Sequence, residues 1–372
     1  MIGLGAVAQA VHLPLLAKLS GRFTIAAVCD LSASTRDAVG SRYGIPAGRR
    51  FADVHELVAA GDLDAVAILT SGSHGALAAA AARAGLAVFC EKPLAYTLAE
   101  IDELAAEAPR LMLGYMKLYD PAVERARAVL ADRPAPRSIE VIVLHPPSAP
   151  QLAHAGLLPP PEDLDPASVE RLRADEAAAT ARALGEISPE LALLYGDVLL
   201  GSIVHELAVV RSLAGGPLEL DYGDVWSAQS VALNGRLPGG ARVSLRWHYL
   251  EDYPAYHEEV RVHDDAGTVQ LRFPTPYLLH APTVLTIVGA EAEAERVSSV
   301  RSAAEAFERQ WLAFDAFLRD GAAPRAGLAE GREDIVTCQA AARILAAREG
   351  VAVGGEAAHV ARAPALATEA AA

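Results

Sequence analysis

Mostly apolar runs alternate with segments of helical periodicity over the first third of the chain. The runs at 23–29, 64–69, 86–90 and 111–116 have the length of buried strands, and 50–51 marks a shorter one. Between them, 53–60, 73–84 and 98–108 carry apolar positions at helical spacing, with Thr97 and Glu100 set as a capping box and Gly85 closing the helix before it. A further helix is predicted over 121–131. Strands separated by helices imply a parallel sheet with right-handed crossovers.

After about residue 120 the rhythm changes. Residues 138–145 alternate as a strand, and 146–166 are proline-rich, which predicts an exposed loop or insertion. Helices are expected over 167–184 and 189–214. Strands follow at 225–233, 241–250, 258–263, 268–273 and 284–288, with turns at Gly239-Gly240 and 264–267. Without intervening helices these form a mainly antiparallel sheet. Helices at 303–319 and 328–348 close the pattern. The alanine-rich 354–372 has no apolar face and reads as a flexible tail. The chain is therefore read as α/β, with a doubly wound parallel domain over 1–120 and an α+β domain over 121–350.

Composition narrows this only a little. At 372 residues, 52% hydrophobic, two domains with sizeable cores are the better expectation. The net charge of −15 and the lack of a basic stripe argue against a nucleic-acid partner. Cys29, Cys90 and Cys338 are scattered and lack metal spacing, which fits a reducing, cytoplasmic compartment. Residues 1–19 lack the basic start of a signal peptide, and the small polar centre at 71–75 would break a membrane helix, so no membrane association is expected.

The chemistry is carried by three stretches. Gly3-Leu4-Gly5-Ala6-Val7-Ala8 is a G-x-G-x-x-A pattern opening a helix expected over 6–19. Its first glycine would make the tight turn, its second admit a pyrophosphate, and its third small residue allow close packing on the sheet. The strand that should precede it is reduced to Met1 and Ile2, so residues are expected to be missing ahead of Met1. Asp30 lies 25 residues after Gly5, at the end of the next apolar run, where a carboxylate meets the adenosine ribose; helix N-capping is its other reading. An aspartate there favours NAD, although Ser32, Ser34 and Arg36 nearby leave NADP open. Glu91-Lys92-Pro93 follows the strand at 86–90, placing a lysine at the sheet edge where open α/β folds bind ligands. His74 could touch the cofactor loop or cap its helix. Tyr115 and Lys117, at another strand end, are candidates for facing substrate.

Together these residues resemble the Gfo/Idh/MocA oxidoreductases, through Gly3 to Ala8, Asp30, Thr70 with His74, Glu91-Lys92-Pro93, the 114–116 strand and a helix reaching His205. The resemblance implies an N-terminal Rossmann domain and a C-terminal domain whose open sheet forms a homodimer or homotetramer interface. It implies cofactor contacts from Gly3, Gly5, Ala6, Val7, Ala8, Asp30, Thr70, His74, Glu91, Lys92 and Pro93, and no metal. It also implies hydride transfer between NAD(P) and a hydroxyl of a sugar, cyclitol or keto-sugar.

Lys92 matches the family lysine and His205 the histidine of an Asp-x-x-x-His element, whose aspartate position here is Gly201. Leu118 stands where many relatives carry arginine. The expected pairing has Lys92 as the polarising acid and His205 as base or orienter. From its apolar helix alone, His205 would read as a core histidine. Two other readings stay open: an NAD-dependent glycosidase-type elimination, and a dinucleotide-binding protein impaired in catalysis by the loss at 201.

Overall fold

A computed structural model describes residues 1–227 and 229–360 of the chain. The first sheet contains β1 (Val28–Cys29), β2 (Arg50–Phe51), β3 (Ala65–Ile68), β4 (Ala87–Cys90) and β5 (Leu111–Leu113). β1 pairs with β2, and β3, β4 and β5 pair in sequence, all parallel. Ile2 joins the two halves through single bridges to Cys29 and Ile68. Its N–H donates to the Ala67 carbonyl and its own carbonyl accepts from Leu69, both at 2.8 Å. The spatial order is thus β2–β1–Ile2–β3–β4–β5, and the winding reverses at Ile2. The crevice beyond the strand ends at such a reversal is where open α/β sheets hold ligands, and the Gly3 turn opens into it.

Of the run at 23–29, only Val28 and Cys29 pair as a strand. Residues 24–27 and 64–67 line a cavity of about 660 Å³, and the Ala26 and Ala27 carbonyls accept from the Arg49 side chain and the Met1 amine instead of from a strand ladder. The helix Leu98–Ala106 starts on the expected capping box: Thr97 Oγ1 accepts from Glu100 N at 3.1 Å while Glu100 Oε2 accepts from Thr97 N at 3.0 Å. It packs on Gly75–Arg83, whose alanines let the two helices approach closely.

The second sheet has eight strands: β6 (Ser138–His145), β7 (Glu219–Ser227), β8 (Ser230–Arg236), β9 (Arg242–Tyr249), β10 (His257–Asp264), β11 (Gly267–Phe273), β12 (Val284–Glu291) and β13 (Ala294–Arg301). Their order is β13–β12–β11–β10–β6–β9–β8–β7, and every neighbouring pair is antiparallel except β6 with β9. Two expectations are corrected here. The run at 225–233 is a hairpin rather than one strand, since β7 ends at Ser227 and β8 begins at Ser230. β13 was not anticipated: its residues are exposed or half-buried throughout, so the edge strand has no apolar alternation to reveal it.

The helical stretch from Pro189 to Ala214 is continuous but not regular. An α-helical start (Pro189–Leu193) widens into a π-helix (Leu194–Ile203) before returning to α-helix (Val204–Ala214). It is apolar and long enough to cross a membrane, yet 72% of its most apolar window is buried within the protein. The proline-rich 146–166 contains a short helix, Ser148–Leu152, and a single 3₁₀ turn, Ala153–Ala155.

The two closing helices, Ala306–Asp320 and Leu328–Arg348, reach back to the first sheet, and the second of them also packs on β7, where Leu345 and Ile344 face Gly223. Trp311 stacks on Phe89 with centroids 4.4 Å apart, and Leu113 N donates to Ala326 O at 2.9 Å. The supposed tail is in part docked. Glu356 accepts from Leu98 N at 2.7 Å and from Ala99 N at 2.9 Å, supplying the first turn of that helix with a second acceptor. Residues 361–372 lie outside the described residues.

Candidate active site

The glycine turn satisfies the geometry that a dinucleotide requires. Gly3 has φ +85°, and a Cβ there would sit 2.7 Å from Thr70 N, so the first and third strand-end loops touch only because this side chain is absent. Around Gly5 nothing lies within 4 Å of an added Cβ, and both Gly5 and Ala6 are exposed. The helix continues through a π-turn, Ala8–His12. Asp30 accepts from Leu4 N at 2.8 Å and from Ser32 N at 3.0 Å, which aims its carboxylate across the mouth of the turn. Thr70 Oγ1 is buried without a hydrogen-bond partner among the described residues. An open glycine turn, a carboxylate at the next strand end and an orphaned hydroxyl between them fit a nucleotide.

The glycines make separable predictions. Gly3→Ala is expected to lower stability by more than about 1 kcal/mol, through left-handed strain and the clash with Thr70, as read by thermal denaturation. Gly5→Ala should leave stability nearly unchanged and weaken NADH binding, as read by fluorescence titration. A Gly5→Ala protein with wild-type NADH affinity would remove Gly5 from the cofactor surface.

His74 is fully buried, and its ring nitrogens lie 2.7 Å from Glu91 O and 2.8 Å from Thr70 O. Burial holds its pKa below the ordinary value, against those two carbonyls. A neutral ring donates to one carbonyl at a time, so His74 ties the Thr70 loop to the Glu91 loop and has no nitrogen left for a nucleotide. The cofactor reading of His74 becomes a bracing role.

Glu91 is braced from the other side. His12, which sequence reasoning passed over, sits in a cage of Phe89, Phe307 and Trp311. Trp311 Nε1 donates to His12 Nδ1 at 3.2 Å, which leaves Nε2 to donate to Glu91 Oε1, also at 3.2 Å. Burial raises the Glu91 pKa, but the hydrogen bond from His12 and the nearby Lys92 charge outweigh it and hold the carboxyl below its usual value. The Lys92–Pro93 peptide is cis.

Lys92 is half-buried and reaches across the domain boundary, where its Nζ donates to the Gly201 carbonyl at 2.6 Å. Gly201 lies in the last turn of the π-helix, four residues before His205. Lys92 therefore meets, one turn ahead of His205, the helix that carries this histidine 113 residues away in sequence, near enough for its charge to act on the ring. Burial lowers the Lys92 pKa, opposed by Glu91 and then Glu206. His205 is held well below its ordinary value by burial first, then by Lys117 and Lys92. It is neutral, and its Nδ1 is buried without a partner among the described residues. The position where the resemblance implies an aspartate thus contributes a carbonyl to Lys92 instead. A Cβ at 201 would lie 3.0 Å from Gly196 O, so the tight wide turn also disfavours a side chain there.

Lys117 does not face substrate. It is buried on a 3₁₀ turn (Met116–Tyr119), donating to Glu206 Oε1 at 2.8 Å and to Glu258 Oε1 at 2.5 Å, with its ammonium over the Phe273 ring. Burial would lower its pKa; Glu206 and Glu258 together reverse that and hold it charged. Tyr115 is likewise committed: its hydroxyl donates to Asp334, which also pairs with Arg211 at 2.9 Å, while its ring edge faces His205. The substrate readings of Tyr115 and Lys117 give way to roles in the wall behind His205. Glu206 and Glu258 were not among the candidates. Glu206 had a signal, as a lone acid beside His205 on an apolar helix; Glu258 had none.

These features define a dinucleotide-binding domain whose strand-end lysine meets a histidine from a second, open-sheet domain. Residues 1–134 match the family model described as "Oxidoreductase family, NAD-binding Rossmann fold". The chain is 37% identical over 137 residues to inositol 2-dehydrogenase of Burkholderia ambifaria and 30% identical over 136 residues to that of Salmonella typhimurium. Each match spans 35% of this chain and 40% of the relative's length.

Similarity of fold extends further. The oxidoreductase domain protein of Kribbella flavida superposes with TM-score 0.71 at 19% identity, covering 93% of this chain and 96% of that one. The scyllo-inositol dehydrogenase of Lactobacillus casei, solved with NAD(H) and scyllo-inositol, gives 0.65 at 16% identity with the same coverage.

Proposed function

We propose that the protein is an NAD-dependent oxidoreductase acting on a secondary hydroxyl of a cyclitol or related polyol. The observation that carries this reading is the Lys92–Gly201 contact, which brings the lysine of the NAD-binding domain beside His205 of the second domain. Gly3, Gly5, Ala6, Asp30 and Thr70 would hold the dinucleotide, and its nicotinamide supplies the hydride chemistry. Lys92, with its pKa lowered by burial, accepts the hydroxyl proton as the neutral amine while the carbinol becomes a carbonyl, and the resulting ammonium then donates a hydrogen bond to the new carbonyl oxygen. Neutral His205 donates its remaining ring N–H to the same oxygen and orients it. The Lys117–Glu206–Glu258 cluster sets the charge behind both. The inositol 2-dehydrogenase relatives support a cyclitol as substrate class. We further place the protein in the cytoplasm as a homodimer or homotetramer joined through the eight-stranded sheet.

The test is NADH formation from NAD with a panel of inositols, aldoses and sugar nucleotides. Oxidation of at least one polyol, rising with pH as Lys92 loses its proton, is the expected result. Tight NADH binding with no turnover anywhere on the panel would favour the impaired dinucleotide-binding protein. Turnover of a glycoside with only catalytic NAD would favour the elimination reading.

A further inference from the structure

The proline-rich segment is not a free loop: it crosses the outer edge of the glycine turn and is fastened at two points. Leu158 N donates to Gln9 Oε1 at 2.9 Å, and Gln9 Nε2 in turn donates to Leu4 O at 2.7 Å, inside the G-x-G-x-x-A turn. Five residues on, Asp163 reaches the start of the helix Ala33–Arg42. Its carboxylate accepts from Ser32 Oγ at 2.7 Å, from Ser34 N at 2.8 Å and from Ser34 Oγ at 2.9 Å. Between the two anchors lie Pro159, Pro160 and Pro161, a run that favours the stiff polyproline conformation and fixes the span from Leu158 to Asp163.

The place Asp163 takes has a specific chemistry. Ser32 and Ser34 follow Asp30 by two and four residues. Two hydroxyls and a backbone N–H converging at a helix N-terminus make an anion cradle. A ribose held at its hydroxyls by Asp30 would direct a 2′-phosphate towards these residues, since the groups just beyond the ribose carboxylate are those that accommodate that phosphate. Arg36, the cation available nearby, is turned back, donating to Asp30 O at 2.5 Å and Leu31 O at 3.1 Å. The hydrogen bonds from Ser32 and Ser34 hold Asp163 down to about 2, so it is a carboxylate at any working pH.

We infer that Asp163 is a specificity-determining residue for the cofactor: a carboxylate delivered by the second domain fills the cradle a ribose 2′-phosphate would need, and so selects NAD over NADP. This rests on the NAD-binding reading above and adds to it a discriminating residue outside the dinucleotide-binding domain. Asp30 alone leaves Ser32 and Ser34 free to bind phosphate. Asp163 removes both donors and puts a second negative charge beside them.

The experiment is fluorescence titration of NADH and NADPH, with 5′-AMP and adenosine 2′,5′-bisphosphate as competitors, on wild type, Asp163→Asn and Asp163→Ala. Wild type is expected to prefer NADH. Both substitutions should tighten NADPH and the bisphosphate by about tenfold or more, the gain expected when a like charge is removed from an anion site, while NADH and AMP move by less than about threefold. NADH binding with an unchanged NADH-to-NADPH ratio in both variants would overturn the inference and leave the NAD reading intact. Failure of wild type to bind either nucleotide would overturn both.

Discussion

Replacing Lys92 with alanine should abolish most turnover while leaving NADH affinity within a few-fold of wild type. The lysine can carry both a charge and a mobile proton, because burial lowers its pKa while Glu91 and Glu206 keep it from losing its proton entirely. Positioned proton transfer contributes about 10²–10⁴ to a rate, and that is the expected loss in kcat. Lys92→Arg should not restore it: a guanidinium stays protonated and its planar fork does not match the single Gly201 carbonyl. Steady-state kinetics paired with NADH titration checks this, and circular dichroism confirms folding. A folded Lys92→Ala protein that loses binding and turnover in equal measure would assign the lysine to cofactor binding instead.

The second large effect is on stability. Lys117 lies between Glu206 and Glu258, with side chains 6%, 1% and 0% exposed. Removing the cation strands two carboxylates in the interior. Lys117→Met should cost about 3–5 kcal/mol in urea unfolding, the usual result of breaking a buried ion pair from one side. Adding Glu206→Gln and Glu258→Gln to Lys117→Met should recover much of that loss, because the uncompensated charges are then gone. A single Lys117→Met variant as stable as wild type would mean the cluster is hydrated rather than dry.

The same cluster gives stability a pH dependence. Glu206 is pushed up to about 7, by burial first, with Lys117 opposing and Glu258 adding to the rise. The folded state therefore holds this proton more tightly than the unfolded chain does. Its contribution is complete below the ordinary glutamate value, and it is lost as pH rises through about 7. Glu206→Gln should flatten the unfolding free energy over that interval.

Much of the molecule was legible from local pattern. The helix Leu328–Arg348 and the strand Ser138–His145 have the predicted bounds, because each carries its own periodicity. The glycine turn, Asp30 and the Glu-Lys-Pro tripeptide could be found because their spacing is imposed by one strand–turn–helix unit, a local constraint. Where local pattern was weak, reading failed. β13 has no buried face, and the widened turn at Leu194–Ile203 has the same apolar composition that an α-helix would have.

The sequence by itself determined the dinucleotide-binding topology, since motif spacing and the order of elements are written along one dimension, whereas the pairing of Lys92 with His205 came from the resemblance to the Gfo/Idh/MocA oxidoreductases. Only the tertiary structure decided what each polar group spends its hydrogen bonds on. Lys117 went to two buried glutamates, His74 to two carbonyls, Tyr115 to Asp334 and Asp163 to Ser32 and Ser34. Most of these partners are far away in the chain, and nothing in the residues flanking either member of such a pair records its distance from the other. A buried polar group must nevertheless find a partner, and which one it finds is settled by how the two domains close on each other.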